Sequence, residues 1–144
     1  MKPISDALEL LTAQHEQIED LYEQVRQIGD EAAYAELTDK LTTHLALEQE
    51  LFYPAMRLKV SAAVMEELFA EHAVLKQLLA ELAFLGMRDP GFRGKLAELG
   101  SMLYGHASWQ EDELFTKAAE SMSFDELAGL CVQFYNFDAP AIAA

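Results

Sequence analysis

His44–Phe52 reads HLALEQELF, and later in the chain His106–Phe115 reads HASWQEDELF. Both open with histidine, carry acids in the middle and close on Glu-Leu-Phe, and the second copy is one residue longer. In the first copy His44, Glu48, Leu51 and Ala55 recur at three and four, the repeat of one helix face, and Leu41 and Leu37 carry that face back toward the N-terminus. The rest of the chain has the same texture. Leu8, Leu11, His15, Ile18, Tyr22 and Val25 form one seam; Met65, Leu68, His72, Leu75, Leu79 and Leu82 form another; Phe92, Leu96, Leu99, Leu103 and His106 begin a fourth. Breakers lie between them: Gly29-Asp30, the stretch from Pro54 to Ser61, and Gly86 to Gly91 with Asp89-Pro90. Pro54 lacks an N–H and clashes with the preceding turn, so it should kink or end the second helix.

Ser123 with Glu126 fits a capping box ahead of Phe124, Leu127, Leu130 and Phe134, which predicts a short helix over about 123–136 ended by Asn136 and Pro140. Short connections favour antiparallel neighbours. The expected fold is all-α: an antiparallel up-down-up-down four-helix bundle over about residues 5–119, capped by a C-terminal fifth helix, with residues 1–144 as one domain.

Composition narrows the function. Apolar residues make up 51% of the 144, yet no run approaches the roughly 18 uncharged positions of a membrane span. The opening MKPISDALELL lacks the apolar core and cleavage site of a signal peptide, so the expectation is a cytoplasmic protein. A single cysteine, Cys131, excludes an internal disulfide and reads as a buried thiol. A formal charge of −15 argues against nucleic acid and against anionic membranes, both of which demand Lys and Arg patches. Carboxylates in this number keep a protein soluble, and they also attract cations.

The chain has four histidines, and each seam holds one. In an antiparallel hairpin two residues are level when they lie equally far from the turn. The point midway between His15 and His44 falls at Gly29-Asp30, that between His72 and His106 at Asp89, and that between His44 and His72 inside the Pro54–Ser61 connection. The imidazoles therefore meet at one height in the core. Left unpaired, each buried polar group would cost on the order of 1–3 kcal/mol, and protonated together they would repel one another. A divalent cation removes both problems. Glu48 follows His44 by one helical turn on the same seam, where an unpaired carboxylate would be expensive. Glu19 follows His15 in the same way but sits beside its seam, as a rim residue. Four His and a bridging-capable Glu suggest two metals, and mixed nitrogen and oxygen ligands suit iron, with zinc, manganese or cobalt as alternatives. Thr12, Leu41, Phe69 and Leu103 stand three residues before the histidines, which excludes the Glu-x-x-His pairs of ferritin-like proteins. No His-Glu-x-x-His, nucleophile elbow or phosphate loop is present.

These residues resemble the hemerythrin or HHE cation-binding family: His15 on helix one, His44 and Glu48 followed by LFYP on helix two, His72 on helix three, and His106 with an acid and LF on helix four, over roughly residues 8–118. An internal repeat agrees, since Leu11, His15, Ile18 and Leu21 parallel Leu68, His72, Leu75 and Leu78. The resemblance implies a non-haem di-iron centre bridged by two carboxylates and an oxo or hydroxo group, which binds O2, nitric oxide or peroxide or handles iron. The oxygen carriers of that family have a further histidine four residues after the one on helix three. Lys76 stands there, so the ligand set is closer to the iron-centre repair and sensor members.

Three residues compete as the partner of His106. A regular helix favours Gln110 or Glu113, at four and seven positions on, whereas Glu111 lies about 140° away. Slipping the register by one aligns Glu111, Leu114 and Ala118 with Glu48, Leu51 and Ala55. A π-bulge in the fourth helix would absorb the extra residue, and the family's His-x4-Asp resembles it. The expected metal ligands are therefore His15, His44, Glu48, His72, His106 and Glu111, with Glu113 the alternative acid; Tyr22 and Trp109 are candidates to line the pocket. A peroxidase- or hydrolase-like enzyme on the same ligands and a metal-free acidic interaction bundle are the competing functions.

Overall fold

The computed structural model describes residues 6–137, and every regular element among them is helical. Helix α1 (Ala7–Ile28) starts where the Asp6 carboxylate accepts the Leu8 N–H at 2.7 Å, and it stops at Gly29, whose φ of 71° is left-handed. Asp30 caps α2 (Glu31–Leu47), and Ser61 caps α4 (Ala62–Leu85) through the Val64 N–H. Between them α2 runs into a π turn, Glu48–Phe52, and then into α3 (Tyr53–Met56). Helix α5 (Phe92–Trp109) likewise passes through a π turn, Gln110–Leu114, into α6 (Phe115–Ser121). The predicted capping box at Ser123 and Glu126 opens α7 (Phe124–Tyr135), which ends at Asn136. Pro140 lies outside the described residues.

Each helix of the bundle has two neighbours: α1 packs on α2 and α5, and α4 packs on α5 and α2. That is the expected square of antiparallel helices, and α7 covers one end, against α1 and the first π turn. Two apolar cores result. One, toward the Gly29 and Gly86–Gly91 turns, gathers Ile18, Leu41, Leu75, Leu82 and Leu99; the other, toward α7, gathers Leu11, Phe52, Met56, Leu114 and Phe134. The histidine layer lies between them.

One sequence expectation fails. The predicted irregularity was confined to the fourth helix, yet the second helix carries the same π turn. The Tyr53 N–H reaches back five residues to the Glu48 carbonyl, and the Phe115 N–H reaches back five to that of Gln110. A π turn spends an extra residue, so the buried face advances by one. Hence Leu51 and Ala55 are only half-buried, while Phe52, Tyr53 and Met56 are buried. Glu48 therefore pairs with Gln110, Phe52 with Leu114 and Tyr53 with Phe115, with no residue left over. Pro54 enters the first turn of α3, where a missing N–H is tolerated, and the helix continues to Met56 before ending.

Candidate metal centre

The histidines, equally far from their turns in sequence, lie together in one layer of the core. Ring centroids of His15 and His44 are 4.8 Å apart, those of His15 and His106 5.4 Å, those of His44 and His106 5.8 Å, and those of His72 and His106 5.7 Å. All four are buried, and Glu48 among them is 0% exposed. One Glu48 oxygen, Oε1, lies 3.1 Å from His44 Nε2, 3.1 Å from His106 Nε2 and 3.2 Å from His72 Nε2. Only the approach of His72 has hydrogen-bond alignment. His15, His44, Glu48 and His106 each offer a ligand atom within 4.8 Å of the others.

Residues not singled out in the sequence hold these rings in place. His44 Nδ1 bonds to Gln14 Oε1 at 2.7 Å, and His106 Nδ1 bonds to the Glu71 carboxylate. Gln14 directly precedes His15, and Glu71 directly precedes His72. The two halves thus use one device: the residue before the histidine of the first helix grips the histidine of the second. The internal repeat carried this signal, because the matched segments place Gln14 and Glu71 in equivalent positions. Tyr53 was also missed. Its ring is buried, its hydroxyl lies 2.8 Å from His72 Nε2, and Gln110 Nε2 donates to it at 2.9 Å.

The other expected residues are spread unevenly. Glu111 Oε2 lies 3.0 Å from His15 Nδ1, on a side chain 36% exposed at the edge of the cluster. Gln110, its neighbour, is the residue that enters the core. Glu113 is exposed and lines a surface cavity with Trp109, Leu58 and Lys59. Tyr22 packs on Tyr104 and Gly100. Lys76 donates to Gln49 Oε1 at 3.0 Å on the surface.

The electrostatics follow from the geometry. Burial pushes the His15 imidazolium down to about 3, with His44 adding repulsion against the pull of Glu48. His15 is therefore neutral, and its Nδ1–H donates to Glu111. Burial also opposes charge on Glu48, yet His44 and His106 hold its carboxyl well below the usual range. For His106 burial is overcome by Glu48 and Glu71, which push it up to about 10. Burial, with Glu16 and Asp112 nearby, raises Glu111.

A cation fits this set. The Nε2 atoms of His15, His44 and His106 and the Oε2 of Glu48 are buried without a hydrogen bond, whereas buried polar groups are ordinarily satisfied. Ligating histidines commonly donate their other ring N–H to an amide or carboxylate, as these three do. Iron, zinc and manganese all accept such ligands. No helix among the described residues is long and apolar enough to cross a membrane.

Comparison with known proteins agrees with the geometry. A DNA nickase of Nostoc sp. (strain PCC 7120 / SAG 25.82 / UTEX 2576) is 21% identical over 130 residues, covering 88% of this chain and 37% of that protein. The chain thus spans little more than a third of that relative's length. No solved structure matches it. The model of the hemerythrin HHE cation-binding domain matches residues 6–118, which contain all four histidines, Glu48 and Glu111, and the chain belongs to that family.

Proposed function

We propose that this chain is a non-haem iron protein that binds a small oxidant or diatomic ligand (O2, nitric oxide or peroxide) at a dinuclear centre in the histidine layer. The observation that carries this reading is the set of three buried Nε2 atoms without a hydrogen bond, on imidazoles that cluster with Glu48 within 4.8 Å of one another. When bound, iron would supply electrons and open positions for such a ligand. The protein's part is to present imidazole nitrogens, fix their orientation through Gln14, Glu71 and Glu111, and exclude bulk water between two apolar cores. Glu48 would be a carboxylate ligand of the metal, and Glu111, the second carboxylate at the cluster, would orient His15.

The Nostoc relative's name raises action on DNA. The charge of −15 opposes contact with a phosphate backbone, and the match spans only 37% of that protein. Metal binding therefore fits this chain better than action on DNA.

The test is iron analysis and an absorption spectrum of anaerobically purified protein, before and after air or nitric oxide. About two irons per chain and a near-ultraviolet charge-transfer band support the proposal. Protein that takes up no iron, or retains a single zinc, would sink it.

A further inference from the structure

The four imidazoles are not equivalent. In His15, His44 and His106 the Nδ1 atom is anchored, by Glu111, Gln14 and Glu71, and Nε2 is buried without a hydrogen bond. In His72 the pattern is reversed. Its Nδ1 is the buried atom without a hydrogen bond, and its Nε2 is engaged at 2.8 Å by the Tyr53 hydroxyl; Glu48 Oε1, 3.2 Å away, lies as close to His44 and His106 and does not distinguish it by distance. The Tyr53 hydroxyl is itself held by Gln110 at 2.9 Å, in a ring that is 0% exposed. The position of Tyr53 in the other half is Phe115, which has no hydroxyl and stacks on His15 with the rings 3° from parallel. The sequence repeat therefore gives its two halves different chemistry at one matched site.

We propose that the centre is built for unequal occupancy. A first divalent cation is held tightly by His15, His44, His106 and Glu48, and a second position forms only when His72 releases Tyr53. Three of the first position's ligands are already oriented, so they lose little freedom on binding. The second position must break a buried hydrogen bond first, which weakens it. Tyr53 is a positioning residue: it acts on the second cation through His72. This proposal rests on the metal-binding reading above.

The test is calorimetric titration of the metal-free full chain with Zn2+, repeated anaerobically with Fe2+. Wild-type protein should show two classes of site, separated by about tenfold or more in Kd. His72→Ala should remove the weaker class and leave the tighter one within about threefold; His72→Gln serves if the alanine variant does not fold. Tyr53→Phe, which keeps the ring, should tighten the weaker class by about three- to tenfold and leave the tighter one unchanged. A merely structural tyrosine would give no such gain. Two equal sites, loss of the tight site in both His72 variants, or no gain in Tyr53→Phe would overturn the proposal. A wild-type chain that takes up no cation would overturn the metal reading itself.

Discussion

Glu48 has three imidazoles around one carboxylate oxygen, while its other oxygen makes no hydrogen bond. Such a group is costly unless something positive balances it; in the metal-free protein the charged His106 does so. Glu48→Gln should leave a folded helical protein that binds Zn2+ or Fe2+ more weakly by over a hundredfold, beyond the 10- to 100-fold typical of an outer partner. Metal retention after gel filtration against a chelator checks this. Away from the centre, Gly100 is where α5 passes the Tyr22 ring: a Cβ there would come within 2.1 Å of the hydroxyl oxygen and 2.3 Å of the ring. Tyr22 is buried and cannot simply swing out. Gly100→Ala should therefore lose about 1–3 kcal/mol in urea unfolding, despite the helix preference for alanine.

At the scale of elements, the two π turns explain why the acid beside His106 was hard to place. Read as strings, HLALEQELF and HASWQEDELF align only with a gap. Read as helices, both widen by one residue after the fourth position, and the buried faces coincide without one. Glu111 reaches His15, and the amide of Gln110 takes the core position matching Glu48. A backbone hydrogen-bond offset leaves no mark in composition, and only the one-residue-longer second copy of the repeat hints at it in the sequence. Capping was legible, because Ser123 and Glu126 satisfy each other's backbone through local geometry alone. Ser123→Ala should cost about 1 kcal/mol, seen as faster amide exchange confined to the start of α7.

The whole molecule couples its charges to pH. In the metal-free protein His15 has a folded value of about 3, below the usual 6.5, so between those values the unfolded chain binds more protons and stability rises with pH. His106, raised to about 10, does the reverse: its contribution is complete below 6.5 and is lost as pH climbs through 10. Metal-free protein should thus be most stable near pH 6.5, falling on both sides in urea midpoints. His106→Gln should flatten the alkaline limb, and it should also weaken the acid limb, because His106 helps hold both His15 and Glu48 low.

Helix spacing, turns and equal distances from those turns are properties of one chain read in order, and they were enough for the bundle, its antiparallel course and a single histidine layer. Which ring nitrogen is anchored and which is free depends on residues from other helices. Gln14 reaches α2, Glu71 reaches α5, and Tyr53 reaches α4. Those pairings exist only once the helices are packed, because hydrogen bonds need approach within about 3 Å. Periodicity sets which side of a helix faces inward, and only the packed core sets what each inward atom meets.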